Sequence, residues 1–442
     1  MKRIITIALA ALLMAACSQK DPHASWTYDS VVYEMNIRQY TPEGTFAAAQ
    51  QQLPRLKELG VDVIWLMPIH EIGVKGRKGT LGSYYAIRDY TSVNHEFGTV
   101  EDFDAFLADA HRIGLKVILD CVANHTSPDC AWVDEKPSDW YMRDSLGNTV
   151  VEYDWTDIAK LNYDNADMRE AVRAAMRYWL DRGIDGFRCD MAYIVPQDFW
   201  TETISVLRSE YRRGLYFLAE GEEPWLHDAG FDATYAWRCH HLLNDIAQGK
   251  AGAVELRAYI EEDAERFPHE AFRLMFTSNH DENSWSGSEY ERMGKAAGLM
   301  AVLSFTLPQA QPLIYTAQEV GYDHRIAFFE KDAVPSWSPT HETVFYQTLT
   351  SLKHRHPALR AGEKGGEFAL LEDQWVPEEV FGFTRTTKKE ELMILANFSD
   401  NYTTVALPDA EEWADAVSSE VFDEELNCPV ISPWGYRILV RK

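Results

Sequence analysis

The chain has 442 residues, 46% hydrophobic, 12% aromatic and 25% charged, a composition that builds a packed core and excludes a disordered chain. Its 42 Lys and Arg against 69 Asp and Glu leave a formal charge of −27, and a surface that acidic repels phosphate backbones and anionic membranes, which excludes nucleic-acid binding. Beyond the N-terminus no apolar run approaches the roughly 18 residues that span a bilayer, so the length points to two or three domains or to one large α/β barrel with an appendage.

Lys2 and Arg3 precede an apolar run from Ile4 to Ala16 that ends in small side chains, the anatomy of a secretory signal. The run closes on Leu13-Met14-Ala15-Ala16-Cys17, which resembles a bacterial lipobox, with Met14 where Leu is commoner. On that reading residues 1–16 are a signal peptide, Cys17 is lipidated, and residues 17–28 are a tether that anchors the protein to a membrane without crossing it. Ser18, in place of Asp, resembles an outer-membrane sorting signal, so the expected location is the cell envelope, on its periplasmic or outer side. The alternative is an ordinary cleaved signal with an incidental cysteine.

From Val31 to Glu319 short apolar runs alternate with amphipathic stretches. Eight runs read as strands: 31–37, 61–69, 116–123, 185–190, 215–221, 231–237, 273–279 and 311–317. Several are apolar nearly throughout, as parallel strands covered on both faces must be. Thr99, with Asp102 three residues on, reads as a capping box, and Gly60, Gly114, Gly183 and Gly214 stand where helices should stop. Eight such units predict a (β/α)8 TIM barrel over residues 29–360, with a small insertion at 126–165 after the third strand. A helix is expected from His341 to His354, and the β-rich, turn-rich pieces after it predict a C-terminal antiparallel β-sandwich domain over 361–442. Cys121, Cys130, Cys189, Cys239 and Cys428 fit neither a zinc site nor a disulfide framework; Cys121 and Cys189 read as buried thiols, a bridge between them being the alternative.

In a barrel of this kind the strand C-termini carry the chemistry. The third strand ends in Asp120, Asn124 and His125, the fourth in Arg188 and Asp190, the fifth in Glu220, and the seventh in Asn279, His280 and Asp281. There is no HExxH, no Ser-His-Asp order and no phosphate-cradling glycine loop, so zinc proteolysis, acyl transfer and nucleotide chemistry lack their parts. Clustered carboxylates with histidines and aromatics suit acetal cleavage, where one acid protonates a leaving oxygen and one carboxylate meets an oxocarbenium-like carbon.

Four motifs in order, DCVANH (120–125), GFRCD (186–190), the Glu of FLAEGE (Glu220) and SNHDE (278–282), resemble those of the α-amylase family, glycoside hydrolase family 13. VDVIWLMPI at the second strand, Tyr85 with Asp89-Tyr90, and PLIYTAQE at the eighth extend the likeness from about residue 30 to the C-terminus. The resemblance implies a retaining hydrolase of α-1,4-glucosidic bonds in starch and maltooligosaccharides, with Asp190 as nucleophile, Glu220 as acid and then base, and Asp281 binding sugar hydroxyls. Arg188, two residues before Asp190 on an extended strand, points the same way and is expected to keep it ionised. Glu220 is expected to carry the raised pKa, with the two carboxyls roughly 5–5.5 Å apart. The resemblance further implies substrate contacts for His125, His280, Arg188 and Tyr85, and for Asp120 either such a contact or the orienting of Arg188. Trp225 and Trp285 are candidates for further subsites.

The chain departs from the family pattern at Tyr193 and Ile194, where many members carry Lys and His, and at Ala317, where Gly is common. Asn124 matches a family calcium ligand, and Asp154, Asp157 and Asp164 could add oxygens, so structural Ca2+ is possible although the chemistry requires no cofactor. The expected protein is an exported, lipid-anchored, endo-acting, monomeric α-glucan hydrolase. The rivals are an α-glucosidase, a transglycosylase or isomerase on the same scaffold, and a catalytically silent glucan-binding lipoprotein.

Overall fold

The computed structural model describes residues 22–372, 374–407, 409–417 and 429–442. Cys17, the signal peptide and Cys428 lie outside the described residues. All eight expected strands form, as β1 Val32–Met35, β2 Val63–Leu66, β3 Lys116–Cys121, β4 Gly186–Cys189, β5 Tyr216–Ala219, β6 Ala233–Tyr235, β7 Phe272–Met275 and β8 Ala310–Tyr315. Each pairs in parallel with the next, and β1 closes the ring on β8. The strands are shorter than the apolar runs that foretold them. In the second run, for example, the ladder stops at Leu66, two residues before Pro68, which has no N–H to donate.

Side chains alternate across each strand, so every second residue faces the barrel axis. The interior cluster holds Val32, Val63, Trp65, Ile118, Leu218, Tyr235, Leu274 and Leu313, whereas Tyr33, Ile64, Leu119 and Phe217 pack outward against the helices. Two residues on from inward-facing Val32, Ile118 and Gly186 come Glu34, Asp120 and Arg188, which places three charged side chains in the uppermost interior layer. Gly186 itself admits no side chain: a Cβ there would lie 1.8 Å from the Tyr216 carbonyl oxygen. Ala317, where the family favours Gly, has φ +71°, a conformation that costs a residue with a Cβ roughly 1–2 kcal/mol.

Thr99 and Asp102 make the expected capping box at the head of helix Val100–Arg112. Of the stretch expected as a tether, residues 22–28 are described, and from His23 onward they pack on the barrel floor. His23 Nδ1 lies 2.7 Å from Asp232 Oδ1, and its ring lies 4.2 Å from that of Phe272. The insertion folds as a small lobe: strand His125–Thr126 pairs antiparallel with Ala159–Lys160, around a short helix at Ala131–Glu135.

Helix His341–Arg355 leads to an antiparallel sheet in the order β9 Glu367–Leu370, β10 Val380–Thr386, β11 Glu391–Asn397, β13 Tyr436–Arg441, β12 Trp413–Asp415. The second layer of the expected sandwich is reduced, among the described residues, to a ribbon of Thr403–Thr404 with Val430–Ile431. That ribbon covers Met393, Leu395 and Leu439 through Val405 and Ile431. Cys121 and Cys189 face each other in register but are buried free thiols, as are Cys130 and Cys239. Among the described residues no helix is long and apolar enough to cross a membrane.

Candidate active site

The strand ends converge on one cavity of about 630 Å³, within the size range of small-molecule sites. Asp190, Glu220, Asp281, His125, His280 and Tyr85 all line it. Arg188 and Asp120 are fully buried beside these groups and are not among the lining residues.

Arg188 organises the site. Its Nη1 donates to Asp190 Oδ1 at 2.8 Å and to both Asp120 oxygens at 2.9 and 3.1 Å, and its Nε donates to the Tyr235 hydroxyl at 3.2 Å. Nη2 lies 2.9 Å from Glu220 Oε2, a charge contact out of line for a hydrogen bond. One guanidinium therefore touches both Asp190 and Glu220. Asp120 also accepts from the Tyr85 hydroxyl at 3.0 Å and from Trp65 Nε1 at 3.2 Å, so its oxygens are committed to protein partners. Of the two roles left open for Asp120, the geometry meets the orienting one.

The backbone after Asp190 adds a feature no sequence pattern announced. Met191 sits at φ +41°, a left-handed conformation rare outside glycine, and its N–H donates to Glu220 Oε2 at 2.8 Å. The chain after Asp281 winds as a single π-type turn over Glu282–Ser286, a form frequent at functional sites. It delivers Trp285, 58% exposed, to the cavity wall beside Phe328 and Phe329. Trp225 does not line the cavity, so only one of the two tryptophan candidates reaches it.

Burial carries the Glu220 carboxyl up to about 7; Arg188 and the Met191 N–H oppose the rise, and Asp190 and Asp281 add to it. Burial also carries Asp190 up to about 6. The expectation that Arg188 keeps Asp190 ionised is corrected to that extent: Arg188 does pull the pKa down, but the lost hydration outweighs it, and Asp120, sharing the same guanidinium, pushes it up further. The order still separates the pair, Glu220 holding its proton to a higher pH than Asp190.

The two histidines differ. Burial lowers His125 to about 4, leaving a neutral ring. Its Nε2 donates to the Tyr85 carbonyl at 3.2 Å, and its Nδ1 accepts from Asn124 Nδ2 at 3.2 Å, so both nitrogens have protein partners. Burial would lower His280 as well, yet Asp281 and Glu34 raise it to about 9, leaving an imidazolium. His280 Nδ1 donates to Glu34 Oε1 at 2.5 Å, while Nε2 lies 2.9 Å from the Tyr85 hydroxyl and 3.4 Å from Asp281 Oδ2. Glu34, fully buried on β1, is a site residue that inspection of the other strand ends missed.

Of the oxygen donors named for a possible calcium ion, two make contacts within the protein. Asn124 spends an amide N–H on His125, and Asp157 faces the Lys78 ammonium at 3.5 Å. Among the described residues no three acidic, His or Cys side chains gather where they could hold an ion.

Comparison with known proteins places this geometry. The family described as "Alpha amylase, catalytic domain" matches residues 21–149 and 136–400. The α-amylase MalA of Haloarcula japonica is 32% identical over 416 residues, covering 90% of this chain, which spans 59% of that relative's length. An α-amylase from Lactobacillus plantarum superposes with a TM-score of 0.84 at 28% identity, over 94% of this chain and 99% of that one. A maltogenic α-amylase, AmyB, from Thermotoga neapolitana gives 0.80 at 26% identity, over 93% and 96%. The motifs at the strand ends, the closed barrel and a family match over most of the sequence agree: the chain belongs to the α-amylase family.

Proposed function

We propose that this protein hydrolyses α-1,4-glucosidic bonds of starch-type glucans with retention of anomeric configuration. The observation that carries the reading is the clamp of Asp190 and Glu220 on one guanidinium, at a cavity where burial raises both carboxyls and Glu220 stays the weaker acid of the two. That clamp supports the short carboxyl spacing that retention requires. The names of the relatives, α-amylases and a maltogenic α-amylase, support the substrate class.

In the first step Asp190 attacks the anomeric carbon as Glu220 gives its proton to the departing oxygen; the C1–O bond breaks and a β-glycosyl ester forms. In the second, ionised Glu220 takes a proton from water, the hydroxide attacks C1, and Asp190 leaves as carboxylate. Two inversions give the α-anomer. Arg188, His280 and the cavity's carboxylates fix the charges around an electron-poor C1, and Tyr85, held by Asp120, presents its ring to the sugar face. None of these steps needs a metal.

The test is a time course on maltoheptaose with anomer-resolved NMR, with and without EDTA. Early α-anomeric products and an EDTA-insensitive rate are expected. Early β-anomers would overturn retention, products longer than the substrate would make the protein a transglycosylase, and EDTA inhibition would restore a metal requirement.

Glu34 acts through His280. Glu34→Gln keeps a hydrogen-bonding partner for Nδ1 but removes the charge that holds His280 protonated, so His280 should lose its proton at lower pH and set Asp281 less firmly. A fall in kcat/KM of about 10- to 100-fold is expected, as for other displacements next to a reacting centre. It should be steepest above neutral pH, and an NMR titration should show the His280 pKa falling from about 9.

The protein is further proposed to be exported and anchored through an acylated Cys17, a reading supported by the residue pattern around that cysteine. The docking of His23 under the floor supports a tether that leaves the face opposite the cavity. Labelled palmitate should enter the protein in a bacterial host and be lost in Cys17→Ser; equal labelling of the variant would overturn the anchor.

A further inference from the structure

The rim of the cavity is unequal around the ring. Glu220 follows β5, which in a closed ring of eight strands stands opposite β1. Over β1 the loops that follow β2 and β8 meet. Leu81 N donates to the Phe329 carbonyl at 3.0 Å, and Thr80 N donates to Glu330 Oε1 at 2.9 Å. Buried Arg38 ties the same stretch down through the carbonyls of Leu81 and Gly82, at 3.2 and 3.1 Å. The approach is close enough that a Cβ on Gly79 would lie 2.5 Å from Phe329 Cβ.

On its other flank the loop reaches the insertion after β3. A Cβ on Gly76 would lie 2.7 Å from the Thr156 carbonyl oxygen. Two residues on, the Lys78 ammonium lies 3.5 Å from Asp157 Oδ1, whose side chain is only 4% exposed. Lys78, Asp157 and Phe329 line the same cavity as Asp190 and Glu220. Residues 73–83 thus form one span over β1, opposite β5, fastened to the loop after β8 on one flank and to the insertion after β3 on the other.

Chemistry gives that wall a meaning, on the reading of the site proposed above. The general acid protonates the oxygen of the departing portion, so the departing, reducing-end portion of a glucan extends past Glu220. The portion that becomes bonded to Asp190 extends the opposite way, toward the span. We propose that the span is a blind end that receives the non-reducing terminus of the chain, so that the enzyme acts from chain ends. This replaces the internal cleavage that the family resemblance suggests. Lys78 is the specificity-determining residue. Its ammonium neutralises buried Asp157, closes the gap between loop and insertion, and presents N–H donors to terminal hydroxyls that an interior glucose, linked onward through O4, does not offer.

The experiment compares maltoheptaose labelled at its reducing end with the same sugar capped by an ethylidene group on O4 and O6 of its non-reducing glucose. The uncapped sugar should lose glucose or maltose from its unlabelled end in steps. The capped sugar should react about 100-fold more slowly, the penalty of a terminus the site cannot place. Equal rates with internal cleavage would overturn the blind end while leaving the hydrolase intact. Failure on both sugars would overturn the hydrolase reading, and this inference with it. The double variant Lys78→Gln/Asp157→Asn removes both charges, so that no buried ion is stranded. It should narrow the capped-to-uncapped ratio by about 10-fold; an unchanged ratio would overturn the role given to Lys78.

Discussion

Asp190→Asn should abolish turnover of maltoheptaose, lowering kcat by about 10^4-fold or more, the usual result of removing a covalent nucleophile. The amide occupies the same space and cannot form the glycosyl ester, so no parallel route through Glu220 remains. The substitution should not unfold the protein. Removing one member of a buried ion pair is costly when the partner is left alone, but Arg188 keeps both Asp120 contacts, at 2.9 and 3.1 Å, and its contact with Glu220. The midpoint of thermal unfolding should therefore stay within about 1 °C of the parent, the equivalent of about 1 kcal/mol for a chain of this size. Glucan binding, measured by calorimetry with maltoheptaose, should survive. Residual activity above about 1% would move the nucleophile elsewhere, because no uncatalysed path competes at that level. A parent protein that binds glucan without turning it over would instead reveal a silent binding lipoprotein. A smaller variant, Asp190→Ala, adds a second readout. Azide in the vacated space should attack an activated α-glucosyl fluoride and leave a β-glucosyl azide, showing which face of C1 Asp190 serves.

What the sequence displays and what it hides follow from how far apart the interacting residues lie. Strand positions were legible because parallel strands covered on both sides must be apolar, and several of the runs between Val31 and Ala317 obey that locally. Asp120, Arg188, Asp190 and Glu220 were legible because barrel chemistry collects at strand ends and the period of two fixes which residues face inward. Glu34 obeys the same rule, two residues on from inward Val32. It was overlooked because β1 carries no family motif, although a lone acid inside the apolar run VVYEMNI is a signal in itself. The left-handed turn at Met191 has no marker, since the residue that adopts it is not glycine. Lys78 and Asp157 meet across 79 positions of sequence, and Phe328 and Phe329 lie in an irregular stretch after β8, so no period or cap could place them beside the cavity. Carboxylates in that insertion invite a calcium reading of Asp157, and only the fold reveals that an ammonium faces it. The upward shift at Asp190 is hidden from the sequence for a related reason. A neighbouring arginine can be read from the sequence, whereas the depth of burial that outweighs it cannot.

That burial makes the second large effect a matter of pH as well as rate. Glu220→Gln should lower kcat/KM on maltoheptaose by about 10^3-fold, the scale of a lost general acid. On α-glucosyl fluoride, whose leaving group needs no proton, the first step should be nearly unaffected, and the loss should move to hydrolysis of the ester, where Glu220 serves as base. In the parent, Asp190 must be ionised and Glu220 protonated. The profile should therefore rise as pH climbs through about 6 and fall as it passes about 7, giving a narrow bell near pH 6.5. The signs follow from the direction of each shift: a carboxyl raised to about 7 keeps its proton below that pH and loses it above. Replacing Glu220 removes the alkaline limb outright. While Asp190 titrates near pH 6 Glu220 is still protonated and neutral, so Gln in its place should leave the acid limb where it is. A variant that loses rate but keeps the parent's alkaline limb would place the titrating acid elsewhere, with Asp281, 39% exposed at the rim, the next group to replace.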